Sequence, residues 1–480
     1  MTAHAATSLD RPLCVDLDGT LIRADMLHES VFALLRTDPI AALRIPHWLR
    51  DGRAALKQEI AARVVIDAAT LPYRDDLLAF IRAERLKGRR IVLVTASDER
   101  FAHDIAEHLT CFDEVIASDG VTNLRASAKA DALVARFGAG GFDYAGNSRD
   151  DLPVWDAANT AFVVGDEGPA RSYAERRGTR RFGLERGSCL AVWARTLRLH
   201  QWLKNGLLFV SLLLAGQVAN AEAWVSAFAG FLAFGLCASS VYVLNDLLDL
   251  QSDRRHSTKR NRPLAAGLVS VPHALVAGGL CLGAAALIAA FLPPLFLLAL
   301  AGYYVATLAY SFVLKRRMLI DVFTLAGLFT VRVIAGAAAI GAPVSAWLLA
   351  FSMFFFLSLA LVKRFVELSS EPVAENGKVA GRGYMPGDIE TLAQAGLASG
   401  FAAAVVLALF IDSPAMAEGY SHPELVWLLC PIVLYMVTRI WMLARRDQMH
   451  DDPVVFLMTD WRSLLLTAIG AAVLLAAKLA

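Results

Sequence analysis

Charge is what this 480-residue chain has least of: Asp, Glu, Lys and Arg make up only 19% of it. An ordinary soluble domain carries roughly 25%. The charge present also cancels, since 46 basic side chains meet 45 acidic ones and leave a formal net charge of +1. A nucleic-acid binder is normally clearly basic, so that balance argues against nucleic acid as a partner. Cysteine is scarce too. Cys14, Cys111, Cys189, Cys237, Cys281 and Cys430 form no CxxC pair and keep no regular spacing. They read as small hydrophobes rather than as a zinc or disulfide framework. The start, Met1 to Arg11, is small and polar and lacks the apolar stretch of a secretory signal. In place of charge the chain is 56% hydrophobic, with mean hydropathy +0.49. That excludes a disordered chain, a collagen and an ordinary cytosolic enzyme.

These averages cover two unlike parts. Residues 1–185 have frequent charges and short apolar runs, as soluble domains do. From Trp193 onward, long apolar stretches alternate with short polar loops. About nine of them approach the ~20 residues a spanning helix needs: 203–219, 222–244, 272–291, 294–313, 319–340, 344–362, 392–411, 425–444 and 463–479. Pro293-Pro294 and Gly341-Ala342-Pro343 break the pattern between spans. The expectation is a multi-pass bundle in a lipid bilayer.

Lys and Arg gather on alternate loops. One set holds Arg254, Arg255, Lys259, Arg260 and Arg262, then Lys315, Arg316, Arg317, Lys363, Arg364, Lys378, Arg382, Arg445 and Arg446. The intervening loops hold almost none. The basic side should face the cytoplasm. The N-terminal part is then cytoplasmic at the inner (plasma) membrane, and an odd number of spans puts the C-terminus on the opposite side.

Leu13 to Thr20 reads LCVDLDGT. A short apolar strand delivers Asp16 and Asp18 to its C-terminal end, and Gly19-Thr20 turns the chain. Such a pair suits phosphoryl transfer, the first carboxylate attacking phosphorus and the second acting as general acid/base. A second strand, Arg90 to Val94, ends at Thr95, whose hydroxyl could hold a phosphate oxygen, and Lys129 could neutralise that phosphate. A third, Phe142 to Ala145, leads into Gly146-Asn147-Ser148-Arg149-Asp150-Asp151. All these groups fall at strand C-termini, where doubly wound sheets bind ligands.

This set resembles the haloacid dehalogenase superfamily over roughly residues 10–185. The resemblance implies a Rossmann-like α/β domain, a small helical cap at about 24–72, Asp16 as nucleophile, Asp18 as acid/base, and Mg2+ held by Asp16, Asp18, Asn147 and Asp151. Asn147 is a departure, because the family usually has an acid directly after that glycine. Asp150 or Asp151 could compensate. A working phosphatase and a fold kept for docking both stay open.

Val241 to Asp253 reads VYVLNDLLDLQSD. On a continuous helix Asp246, Asp249 and Asp253 would share one face. Three clustered carboxylates at the end of an apolar span repel one another unless cations bind, and Mg2+ commonly couples a few carboxylates to substrate phosphates. Lys259, Arg260 and Arg262 follow in TKRNRPLAAG, a basic loop that suits a substrate with several phosphates. Lys204, Asn245, Tyr310, Lys315, Asp321 and Arg332 are further substrate-binding candidates. Asp321 and Arg332 stand eleven residues apart, about three helical turns, so they could face one interior or belong to a structural ion pair.

Residues 195–480 resemble the UbiA-type superfamily of intramembrane prenyltransferases. Within it they look most like the decaprenyl-phosphate phosphoribosyltransferase branch, through QWLKN at 201–205, TKRNRPLAAG at 258–267, Tyr310 to Asp321, RVIAG at 332–336, Lys363-Arg364 with Glu367, and Arg382-Gly383-Tyr384. That branch implies Mg2+-dependent transfer of 5-phosphoribosyl from phosphoribosyl diphosphate to a polyprenyl phosphate, feeding cell-wall arabinan or a related lipid-linked sugar. Asp246, Asp249 and Asp253 would be the metal and catalytic carboxylates. Prenyl transfer to an aromatic or quinone precursor is the alternative, since both reactions expel a diphosphate. The expected organisation is a haloacid dehalogenase-like phosphatase domain at 1–188 and a UbiA-like transferase domain at 189–480, with oligomeric state left open.

Overall fold

Apolar runs too short for helices form the strands of the N-terminal part. In the computed structural model these are β1 (Leu13–Asp16), β2 (Ile91–Asp98), β3 (Glu114–Ser118), β4 (Asp143–Gly146), β5 (Ala161–Val164) and β6 (Arg181–Phe182). The structure describes residues 10–183, 188–370, 383–413, 416, 420–449 and 452–479. Lys378, Arg382 and the polar start up to residue 9 lie outside them.

The six strands form one parallel sheet in the order β3-β2-β1-β4-β5-β6. Leu13 pairs with Ile91 on one side and with Asp143 on the other. A parallel sheet is covered on both faces, so its strands read as continuous apolar runs. Alternation then divides the side chains. Leu13, Val15 and Leu93 enter one core with Ile81 and Ile105, while Cys14, Val92 and Val94 enter the other with Leu133, Tyr144 and Trp155. The order runs outward from β1 and β4 in opposite directions, so the switch point lies between them. That is where such sheets bind ligands, at the strand C-termini.

The expected cap is helical. Asp25 caps the helix Met26–Thr37, its carboxylate accepting from His28 N. Asp38 caps Pro39–Ala42 in the same way, and Ile45–Arg50 and Arg53–Ala61 follow. Trp48, Leu56 and Ile60 bury against the core that holds Leu34 and Met26.

Among the described residues, eight helices are long and apolar enough to cross a membrane: Ala221–Leu248, Val271–Ala290, Pro294–Phe312, Ile320–Ala339, Ala346–Ser369, Asp388–Ile411, Pro423–Arg445 and Trp461–Lys478. The remaining expected stretch, 203–219, takes another form. Leu199–Leu207 is a 3-10 helix and Leu208–Leu214 a short α-helix. Together they rise about 28 Å, close to one hydrocarbon thickness. The short helix lies tight against Ile320–Ala339. Ser211 Oγ donates to Val333 O at 2.8 Å, and a Cβ on Gly336 would stand 2.1 Å from Leu208 O, so only glycine allows that approach.

By contacts the chain forms two compact units. One comprises Met1–Thr196 with Val243–Leu275, and the other Leu197–Tyr242 with Val276–Ala480. The acidic segment and its basic loop therefore pack with the α/β part, although the sequence division at 188/189 separates them.

Candidate functional site

The first candidate site is built at the C-terminal ends of β1, β2 and β4. Strand β1 ends on Asp16, and Gly19 turns the chain at φ +72 against Asn147, so close that a Cβ would meet the Asn147 amide nitrogen at 2.2 Å. Thr20 Oγ1 lies 3.1 Å from Asp16 Oδ2 and 3.2 Å from Asn147 Oδ1. Lys129 Nζ donates to Asp16 Oδ1 at 2.7 Å and to the Tyr144 hydroxyl at 2.9 Å. Asp18 accepts from Met26 N at 2.7 Å, from Ser97 Oγ at 2.6 Å and from Thr95 Oγ1 at 3.3 Å. The structure thus brings Asp16, Asp18, Thr95, Lys129 and Asn147 together.

Asp151 is buried beside them. Its Oδ2 accepts from the backbone N–H of Asn147 and Ser148, both at 3.0 Å, and Oδ1 accepts from the Tyr144 hydroxyl at 2.7 Å. Asp150 instead meets Arg125 at the surface, at 2.6 Å. Ser97 and Tyr144 were not singled out in the sequence. Ser97 follows Thr95 by two residues on the irregular end of β2, and its N–H donates to Thr95 Oγ1 at 3.0 Å.

Burial sets the electrostatics here. It raises Asp16 to about 7, working against Lys129 and helped by Asp151 and Asp18. Burial, with Asp25, also holds Asp18 above the ordinary carboxylate value. Burial opposes the charge on Lys129, but Asp16 and Asp151 outweigh it and keep the ammonium protonated. Burial likewise works against the Asp151 charge. Lys129, Tyr144 and the two backbone N–H groups nonetheless hold Asp151 below its ordinary value. The oxygens of Asp16 and Asn147 that meet at Thr20 are hard donors of the kind Mg2+ takes. No group of three or more His, Cys, Asp or Glu side chains among the described residues is placed to hold a metal. A Mg2+ ion here would complete its shell with substrate phosphate and water.

The second site is the acidic segment. The helix Ala221–Leu248 ends before Asp249 (φ −100, ψ 8) and Leu250–Arg255 follows, while Asp249 N still donates to Asn245 O at 2.9 Å and Asp253 N to Asp249 O at 2.8 Å. Asp246 and Asp253 turn to one partner, Asp249 to another. A single nitrogen, Arg262 Nη1, lies 3.1 Å from Asp246 Oδ1 and 2.6 Å from Asp253 Oδ2. The two carboxylates therefore converge on one guanidinium nitrogen. Asp249 Oδ1 accepts from Arg36 Nη1 of the cap at 2.7 Å. Burial raises Asp253, against Arg262. Asn245 and Lys259 are half-buried and Arg260 is exposed.

The cap also pairs with the residues just beyond the motif. Arg254 Nη1 and Nη2 donate to the Glu29 carboxylate at 3.0 and 2.6 Å, both side chains buried, and Arg255 Nη2 donates to Asp67 at 3.1 Å. Arg254 and Arg255, basic-loop charges by sequence, thus have specific acidic partners. Arg36, Glu29 and Asp67 carried no periodic signal that could have marked them.

In the bundle unit the remaining candidates have distinct partners. Asp321 is fully buried, accepts from the Tyr384 hydroxyl at 2.5 Å and pairs with Arg364 Nη2 at 2.6 Å. Arg332 donates to Asn205 Oδ1 at 3.0 Å and to the Tyr303 hydroxyl at 2.9 Å. Asp321 and Arg332 thus do not form an ion pair with each other; each meets a different neighbour on the face it presents. Lys204 pairs with Asp452, whose carboxylate is also 3.8 Å from Lys363 Nζ. Burial raises Asp452, but Lys204 and Lys363 outweigh it and bring its carboxyl down to about 2. Tyr310 and Lys315 are half-buried.

Residues 206–461 match the UbiA prenyltransferase family. The chain belongs to that family. Residues 13–156 match the haloacid dehalogenase-like hydrolases, so this UbiA-family transferase carries a haloacid dehalogenase-like domain at its N-terminus. An uncharacterized protein of Sinorhizobium fredii, y4nM, is 41% identical over 96% of this chain and 90% of its own length. Nodulation protein NoeC of Azorhizobium caulinodans is 36% identical over 57% of this chain and 89% of its own. Decaprenyl-phosphate phosphoribosyltransferase of Mycolicibacterium smegmatis is 37% identical over 36% of this chain and 56% of its own. With eight spanning-type helices among the described residues, this UbiA-family chain is a multi-pass membrane protein.

Proposed function

We propose that the chain transfers 5-phosphoribosyl from phosphoribosyl diphosphate to a polyprenyl phosphate, and that its N-terminal domain then removes the 5-phosphate. The observation that carries the transfer reading is the convergence of Asp246 and Asp253 on a single guanidinium nitrogen. The similarity to decaprenyl-phosphate phosphoribosyltransferase supports the choice of donor and acceptor. Mg2+, when bound, supplies positive charge to the departing diphosphate. Asp246 and Asp253 would hold it, with Arg262 released toward substrate phosphate while Asp249 keeps Arg36 in place. Lys259 and Arg260 add positive charge in the following loop, and Asn245 stays a substrate-binding candidate. Lys204, Tyr310, Lys315, Asp321 and Arg332 stay substrate-binding candidates in the bundle unit.

The donor's anomeric carbon gains oxocarbenium character as its bond to the diphosphate oxygen breaks. An oxygen of the acceptor phosphate forms the new bond. That acceptor is already anionic, so no general base is required, and one displacement inverts the anomeric centre.

In the N-terminal domain Asp16 attacks phosphorus, and Asp18, in its acid form, gives its proton to the leaving oxygen. Water then cleaves the aspartyl phosphate, with Asp18 as base. Thr95 and Lys129 hold the phosphate oxygens, Asn147 offers an oxygen to the metal, and Asp151 keeps Lys129 and the Asn147 loop in place. Tethering raises the effective concentration of the phosphorylated product at this domain. The alternate basic loops support a cytoplasmic N-terminal domain. A ninth crossing by the 199–214 segment would then put the C-terminus opposite. Parts 1–188 and 189–480 are then the phosphatase and the transferase.

The test uses purified protein with lipid-linked phosphoribose. Wild type should release inorganic phosphate and Asp16→Asn should not, while both form the lipid product at the same rate. Unchanged phosphate release from Asp16→Asn refutes the phosphatase step.

A further inference from the structure

The proposed donor has two anionic ends, and the acidic segment accounts for only one of them. A cavity of about 400 Å3 lies between that segment and the cap. That volume is in the range of small-ligand sites. Phe32, Val64 and Leu247 give it an apolar wall, and Arg36, Arg63 and Arg255 reach into it. Arg36 ties the cavity to the motif, since its Nη1 also lies 3.1 Å from the Leu248 carbonyl and 3.1 Å from Ser252 Oγ.

Each arginine is held through one nitrogen: Arg36 Nη1 by Asp249, Arg63 Nη1 by Glu59, Arg255 Nη2 by Asp67. A guanidinium has five N–H donors, so each keeps donors to offer while its position is fixed. The one acid lining the cavity, Glu29, has both oxygens engaged by Arg254. The cavity therefore presents guanidinium N–H donors, each anchored by one carboxylate, beside an apolar wall. Forked N–H donors match the oxygens of a phosphate, which takes such contacts two at a time.

We propose that this cavity binds the phosphomonoester end of a sugar phosphate, with Arg36, Arg63 and Arg255 as its anion-binding residues. The identity of that ligand as the 5-phosphate of the donor and product rests on the phosphoribosyl-transfer reading. The cap of the phosphatase domain is then also a wall of the transferase site. It holds by its phosphate the same sugar that the acidic segment holds by its diphosphate.

The test is hydrogen–deuterium exchange on the full chain in nanodiscs, with ribose 5-phosphate as probe and EDTA present so that neither metal-dependent site contributes. Ribose 5-phosphate should slow exchange in 29–37 and 247–255. Val65 is 87% exposed and lines the cavity, so it can be replaced without disturbing the core. Val65→Glu should raise the required concentration at least about tenfold by like-charge repulsion, and Val65→Lys should not. Absence of protection in wild type, or an unchanged curve in Val65→Glu, overturns the site. Equal protection by inorganic phosphate overturns the sugar-phosphate assignment. Transfer activity is scored separately. Protection without phosphoribosyl transfer keeps the site and rejects the transfer reading, and transfer without protection does the reverse.

Discussion

Glu29→Ala is the sharpest perturbation of the packing between the cap and the acidic segment. Glu29 and Arg254 are both buried and joined by two hydrogen bonds of 3.0 and 2.6 Å. Removing the carboxylate leaves a guanidinium out of water with only the Ala265 carbonyl, 2.8 Å from Nε. Breaking a buried pair from one side costs about 3–5 kcal/mol. For a unit of this size that lowers the melting midpoint by about 2–4 °C per kcal/mol, or ~6–20 °C in total. Arg254→Met should cost a similar amount plus roughly 1 kcal/mol for the lost Ala265 bond. The double variant Glu29→Leu/Arg254→Met leaves no orphaned charge. Its loss should fall short of the sum of the single losses by at least about 2 kcal/mol. The assay is thermal unfolding of the full chain in nanodiscs, followed through proteolysis of the cap. Additive losses would mean that the two groups do not meet, and that the cap is not fastened to the segment as described.

Further outcomes follow from the sites. Phosphate release should fall with acid as Asp16 protonates near pH 7, the value to which burial raises it. Added Mg2+ should move that limb to lower pH, and a limb fixed near the ordinary carboxylate value would contradict the environment given to Asp16. The same raised value makes the Asp16 contribution to stability greatest below its unfolded value, and it is lost as pH rises through about 7. Ser97→Ala removes the 2.6 Å bond to Asp18. It should raise the Asp18 value further and move the alkaline limb of phosphate release upward, without altering transfer. Asp253→Asn should abolish lipid-product formation while phosphate release from a soluble phosphomonoester continues, and loss of both in a folded protein would refute two separate sites.

Much of the fold was legible because it rests on periodic signals. The apolar runs of β1, β2 and β4 could only be buried strands, and Asp16 and Asp18 at the end of such a run needed a chemical reason. The spanning helices were legible by length, apart from 203–219. There QWLKN and the tight approach at Gly336 favour a 3-10 turn and a short helix over one straight span. The helix end before Asp249 was hidden because neither proline nor glycine marks it, and spacings of three and four fit an unbroken helix equally well. The cap contacts were hidden for another reason. Glu29 and Arg254 are separated by 225 residues, and a lone charge on a cap helix looks the same whether it faces water or a buried partner.

The most direct measurement of the central claim is incubation of membranes bearing this protein with radiolabelled phosphoribosyl diphosphate and polyprenyl phosphate. Phosphoribosyl transfer predicts label in the lipid phase that requires Mg2+ and is absent with Asp246→Asn. Label that enters lipid-soluble product only from a prenyl diphosphate donor, with an aromatic acceptor, would contradict it.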